Sequence, residues 1–180
     1  LVRSPEAHAI IKSIDTASAK AITGVVAVYT GQDLADKLGT LICGWVVPDT
    51  IEVPHAPMAV DKVRCIGEVV AAVIANDPIV AADAAALVEV EYEVLPAVVN
   101  SELAVQDGQP QIHEDAPGNK CFEWEVAGGD VVQASSEAEV TINQRMINQR
   151  LIPNSMEGRA VIADYNPGTN QVTLWTSSQI

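Results

Sequence analysis

The side chains most able to do chemistry in this chain lie close to its end, in "PNSMEGRA" and "QVTLWTSSQI". Glu157 and Arg159 are two positions apart, so an extended backbone puts them on one face. There they can neutralise each other as a positioned ion pair, or one can hydrogen-bond a ligand. Gln179 follows an apolar strand and three hydroxyls, Thr176, Ser177 and Ser178. A strand-end amide commonly bonds to backbone and less often to a ligand, and residue type alone leaves both roles open.

Other candidates are weaker. Glu89, Glu91 and Glu93 alternate along "EVEYEV" and share a face; a solvated outer surface is the reading that residue type favours over a cation site. Cys43, Cys65 and Cys121 are an odd number, widely spaced and without a C-x-x-C, which fits neither a disulfide scaffold nor a zinc site. His8, His55 and His113 stand alone, with no second ligand three to five residues away. "INQRMINQR" repeats at a spacing of five, which in a strand sends Asn143 and Asn148 to opposite faces. The chain contains no G-x-G-x-x-G, no G-x-x-x-x-G-K, no G-x-S-x-G and no H-E-x-x-H.

The elements that must position these groups follow from composition and period. The 180 residues are 48% hydrophobic but only 4% aromatic, so Val, Ile, Ala and Leu must fill the core in close, Ala-lined packing. A net charge of −14 argues against nucleic acid and anionic membrane as partners. No apolar run approaches the roughly 20 residues of a membrane helix. Free thiols fit a reducing compartment, and the expected location is the cytoplasm. The chain opens on Leu1 and stops on Ile180 directly after its polar cluster, so it reads as part of a longer polypeptide.

Strands are expected at "LVRSP", "AIIKSID", "VVAVYTG", "VVAAVIA" and "EVEYEVL", with the fourth an unbroken apolar run suited to burial on both faces. Helices are expected at "TASAKAIT", capped by Asp15 or Thr16 and ended by Gly24, and at "QDLADKLG", closed by Gly39. "PIVAADAAALV" is a third, with Asp77 as cap and Pro78 in its first turn. "TLICGWVVPDTIEVPHAP" is a long loop, and Gly67 marks a bulge or turn. The polar stretch from Asn100 to about Lys120 reads as a linker or traversing loop. "RAVIADY" and "QVTLWTSS" form a hairpin across "NPGTN", with positive φ expected at its glycine, and with apolar surface left exposed. Residues alone thus give an acidic α+β domain followed by the start of another.

The order of these phrases resembles one family. "VRSPEAHAIIKSIDTASAKAITGVVAVYTGQDL" and "MAVDKVRCIGEVVAAVIANDPIVAADAAALVEVEYEVLPAVV" are similar to the α/β-hammerhead domain of molybdenum hydroxylase large subunits. These include xanthine dehydrogenase, aldehyde oxidase and aerobic carbon monoxide dehydrogenase. "NQRLIPNSMEGRAVIADYNPGTNQVTLWTSSQ" is similar to the segment opening their molybdopterin-binding portion. Two departures stand out: Gly158 where the family has proline, which loosens the backbone locally, and Glu6 where it has histidine.

The resemblance implies an α+β fold: a hammerhead domain over 1–105 lacking its N-terminal edge, a linker over 106–124, and over 125–180 the first strands of a truncated molybdopterin-binding domain. It implies that Gln179, in the family's Ser/Thr-Gln motif, brings its amide toward the apical oxygen ligand of molybdenum without ligating the metal. No catalytic residue and no metal ligand are expected among the 180 residues, and the isolated piece is expected to be inactive. The implied cofactor is molybdenum-molybdopterin, as the cytosine dinucleotide, with iron–sulfur and FAD units receiving electrons in partner subunits or domains. The implied reaction is hydroxylation or oxidation of a small substrate with oxygen from water. "LICGWVVPD" and "NQRLIPNSMEGRA" look most like the carbon monoxide dehydrogenase-type branch. Cys43 is not that branch's reactive cysteine and reads as structural. The implied partners are the rest of the large subunit and the two redox subunits, in an oligomer of heterotrimers. The alternative is a free-standing, non-catalytic hammerhead scaffold or interface module; a weaker one is a small-molecule binding domain.

Overall fold

The computed structural model describes residues 1–41, 44, 46–152 and 154–178, and two of the residues singled out above, Cys43 and Gln179, lie outside them. The chain divides into two compact units, Leu1–Ala127 and Gly128–Ile180. In the first, strands β1 (Val2–Arg3), β3 (Val25–Thr30) and β5 (Val69–Ala75) form an antiparallel sheet in the order β1-β5-β3. A second antiparallel sheet has the order β4-β2-β6, from β2 (Ala9–Asp15), β4 (Lys62–Val63) and β6 (Glu89–Val94).

β5 explains the architecture. Its period of two sends Val70 to one side and Val73 to the other. Val70 joins Ala9, Ala59 and Val63 in a core that Val2, Ile11, Ile14, Val90 and Tyr92 flank. Val73 packs instead beside Ala19, Val28 and Ala84, in a core between helices and sheet. The expected burial on both faces is complete at Val70 and Ala71, partial at Ala72 and Val73, and lapses at Ile74, which is exposed. Val63 and Val70 are the largest fully buried side chains, as a chain poor in aromatics requires.

Helix α3 (Pro78–Ala85) starts as the sequence indicates: the Asp77 carboxylate accepts from the backbone N–H of Ile79 at 2.7 Å and of Val80 at 3.3 Å. The other two helices are shorter than expected. α1 covers only Ala17–Lys20, with Asp15 accepting from Ala17 N at 2.8 Å and Thr16 making no side-chain cap. Ile22 and Thr23 are β-branched, and Gly24 turns the chain at φ +96°. α2 covers Gly31–Leu34, because Thr30 and Asp33 form a reciprocal capping box one residue earlier than the sequence suggested.

The stretch after Asn100 falls within the first compact unit. It carries α4 (Ser101–Ala104) and a 3-10 turn at Pro117–Asn119. Asn119 anchors it, donating to Ala104 O at 2.9 Å and Pro110 O at 2.8 Å while accepting from Ile112 N at 2.9 Å. Arg64 Nε donates to Ile112 O at 3.0 Å, and Ile51 N donates to Cys121 O at 2.8 Å.

The second unit holds α5 (Val131–Glu137), capped by Asp130, and the hairpin β7 (Val161–Asn166) and β8 (Gln171–Thr176). The hairpin stands where the sequence puts it, but its turn differs. The left-handed residue is Asn170 at φ +54°, whereas Gly168 does not take positive φ. The Asn166 side chain accepts from Gly168 N at 2.9 Å and Thr169 N at 3.3 Å, so the reversal completes later, at a residue that also tolerates this conformation. "INQRMINQR" forms no helix or strand.

Candidate functional site

The candidate site is the open end of the β7–β8 hairpin. The ladder pairs Val161 with Thr176, Ala163 with Leu174 and Tyr165 with Val172 on one face, all but the threonine apolar. The other face pairs Ile162 with Trp175, then turns polar at Asp164 with Thr173 and Asn166 with Gln171. Apolar groups thus reach the open end on both faces, just before the hydroxyls of Thr176, Ser177 and Ser178. Beyond the ladder, Ser177 N donates to Ala160 O at 3.2 Å, and Ala160 N donates to the Ser177 hydroxyl at 2.9 Å.

The expected ion pair between Glu157 and Arg159 is absent. Among the described residues the ion pairs are Lys12–Glu93, Lys62–Glu114, Arg64–Glu114 and Lys120–Glu123. A bend at Met156 and Glu157 breaks the extended spacing that would have aligned the two charges, and both stay exposed. The end of β8 itself is uncharged and rich in hydroxyls. Such groups suit a cofactor that brings its own metal ligands and needs hydrogen bonds from protein. No cluster of three or more His, Cys, Asp or Glu among the described residues could hold a metal ion.

In the first unit the structure assembles groups that are distant in sequence. Lys62 and Arg64 both bind Glu114, the latter at 3.2 Å. The Lys62 bond, the carboxylate's own backbone and Arg64, in that order, hold the Glu114 carboxyl down at about 2. His55 and His113 bring their ring centroids to 6.2 Å. Burial first, then the Arg64 charge, pushes the His113 imidazole below its usual range and favours the neutral ring. His8 is buried, with Nδ1 bonded to Pro96 O at 2.8 Å. A cavity of about 560 Å³ opens between the loop around Leu41 to His55 and the pair Cys121 and Phe122. Reading the histidines one at a time missed the His55–His113 approach; only the fold brings them together. The carboxylates of β6 are solvated as expected, with Glu93 bound to Lys12 at 3.1 Å and Glu91 accepting from Ser13 at 3.3 Å. No helix among the described residues is long and apolar enough to cross a membrane.

Comparison with known proteins gives these features a context. Residues 1–96 match the aldehyde oxidase and xanthine dehydrogenase a/b hammerhead domain, and residues 112–180 match the molybdopterin cofactor-binding domain. The combination defines a class, the α+β molybdenum hydroxylase fold with a hammerhead domain ahead of the first strands of its cofactor-binding domain. The chain belongs to the aldehyde oxidase and xanthine dehydrogenase family. It is 35% identical to the 6-hydroxypseudooxynicotine dehydrogenase complex subunit gamma of Paenarthrobacter nicotinovorans, covering 97% of this chain and 22% of that one. It is 36% identical to the carbon monoxide dehydrogenase large chain of Afipia carboxidovorans, covering 99% and 23%. The crystal structure of quinoline 2-oxidoreductase from Pseudomonas putida 86 superposes with a TM-score of 0.90 at 33% identity, covering 99% of this chain and 22% of that chain. The chain therefore spans a little over a fifth of the length of these relatives.

Proposed function

We propose that these residues open the large subunit of a molybdenum-cofactor oxidoreductase. It hydroxylates or oxidises a small substrate with water as oxygen source, most like the carbon monoxide dehydrogenase-type branch. The observation that carries this reading is the uncharged, hydroxyl-rich end of β8, within the stretch that matches the molybdopterin cofactor-binding domain. The hammerhead domain over 1–105 is the scaffold, the stretch 106–124 connects, and 125–180 begins the cofactor-binding part. Named relatives that are oxidoreductase subunits support this over a free-standing scaffold module.

When bound, molybdenum-molybdopterin, here in its cytosine dinucleotide form, supplies the two-electron chemistry. This chain's part is orientation: Gln179 donates an amide N–H toward the cofactor and contributes neither charge nor a metal ligand. Iron–sulfur and FAD units in partner subunits carry the electrons away, in an oligomer of heterotrimers in the cytoplasm.

The test is Gln179→Ala in the complete enzyme. A fall in turnover of about tenfold or more, with an altered molybdenum spectrum, is expected. Unchanged turnover together with an unchanged spectrum would sink the assignment. Acid release of cytidine monophosphate from the purified enzyme checks the dinucleotide, and co-purification of flavin and iron–sulfur subunits checks the partners.

A further inference from the structure

The hydroxyls of "TSSQ" look interchangeable in sequence, yet the structure gives one of them a distinct task. Because Val161 pairs with Thr176, the next pair in register is Ala160 with Ser177. In a hydrogen-bonded antiparallel pair the two residues exchange both backbone N–H···O bonds. Here only half of that exchange is made by backbone: Ser177 N donates to Ala160 O at 3.2 Å. The returning donor, Ala160 N, goes to the Ser177 side-chain oxygen at 2.9 Å. The same hydroxyl lies 3.5 Å from Ala160 O, so its own proton is directed there.

The side chain thus stands in for a carbonyl. Ala160 keeps its N–H satisfied, while the Ser177 carbonyl is released from the ladder and the chain can leave the strand at that residue. An alanine here deprives Ala160 N–H of that acceptor and loosens the point at which the chain departs, two residues before Gln179.

We infer that Ser177 is a positioning residue: its hydroxyl ends the β7–β8 ladder and thereby sets the approach of Gln179 to the cofactor. This rests on the role given to Gln179 above. Thr176 lies within the ladder and Ser178 makes no corresponding bond to β7, so neither can replace it. The task calls for a short hydroxyl, which threonine retains and alanine lacks.

The experiment compares variants of the complete, cofactor-loaded enzyme by two readouts that do not depend on turnover. One is the electron paramagnetic resonance spectrum after dithionite reduction; the other is hydrogen exchange at the Ala160 amide. Ser177→Ala is expected to shift the spectrum in the direction of Gln179→Ala and to speed exchange at Ala160 roughly fivefold. Ser177→Thr is expected to restore both, and Ser178→Ala to leave both unchanged. If Ser177→Ala fails to retain cofactor, Ser177→Cys, whose thiol accepts only weakly, takes its place in the comparison. A native spectrum in the residue-177 variant beside an altered one in Gln179→Ala overturns the positioning role and leaves the Gln179 assignment standing. Native spectra in both overturn the two together. A spectrum that Ser177→Thr does not restore, or that Ser178→Ala shifts equally, also refutes the inference.

Discussion

The two compact units of this chain are built on opposite principles. The first buries Ala9, Ala19, Val63, Val70 and Ala84 completely, in two small cores on either side of β5. In the second, every described residue is exposed, including Val161, Tyr165, Val172, Leu174 and Trp175 of the hairpin. Burial of apolar area stabilises the first, whereas ladder bonds, the Asn166 turn and the Ser177 closure hold the second. A two-stranded hairpin without a covering layer is marginal in water. The apolar face of β7–β8 is therefore a surface prepared for contact, and in the complete subunit proposed above it would be covered.

The sharpest separation of the two units comes from glycine. Gly31 opens α2, where a Cβ would meet Ala59 O at 2.0 Å. Neither the carbonyl nor the helix start can yield without moving both sheets' connections. Gly31→Ala is expected to destabilise the first unit by about 3 kcal/mol, read as a lower urea midpoint of the 180-residue chain. Gly158, with nothing within 4 Å of its Cβ position, provides the matched control. Gly158→Ala is expected to stay within about 0.5 kcal/mol. A similar loss at both would erase the distinction.

Valine gives the next largest contrast. Val70→Ala empties a fully buried site and is expected to cost about 2 kcal/mol, from lost transfer energy and the cavity left behind. Val172, 63% exposed, should be nearly silent as Val172→Ala in the 180-residue chain. In the complete subunit the same change is expected to lower thermal stability, because the face is then buried. Silence in both settings would mean that the hairpin face stays bare.

The same contrast explains what could be read from sequence. β6 was legible because its alternation of Glu with Val and Tyr is the pleat written out, and α3 because Asp77 and Pro78 announce its start. α5 was missed: Val131–Glu137 has no apolar stripe, and only the Asp130 cap marks it. The left-handed residue was assigned to Gly168 on intrinsic preference, but the Asn166 side chain moved it to Asn170. The proposed Glu157–Arg159 pair assumed an extended backbone, which the bend at Met156 and Glu157 removes. At the candidate site, resemblance pointed to Gln179, whereas Ser177 became distinct only once the register with Ala160 was known. Clusters such as Lys62 and Arg64 with Glu114 have no local signature at all, since their members are joined only by the fold.

That last cluster yields the smallest expected effect, and its sign follows from the direction of the shift. Lys62 first, with the backbone and Arg64, holds the Glu114 carboxyl at about 2, below the ordinary value of 4.5. The folded state therefore favours the ionised form, and the stabilisation is complete above the unfolded-state value. It is lost as pH falls from about 4.5 through about 2, when the carboxyl protonates and releases both cations. Because the Glu114 side chain is 61% exposed, solvent screens much of this gain and salt should weaken it further. Glu114→Gln is expected to lower stability slightly above about pH 4.5 and to converge on the parent near pH 2, which flattens the acid limb between those values. The loss should register as faster amide exchange around Ile112, which Arg64 holds through its Nε, and should leave the β7–β8 hairpin untouched. An acid limb as steep in Glu114→Gln as in the parent would show that the Arg64 bond to Ile112 O, rather than the Glu114 carboxylate, fastens this segment.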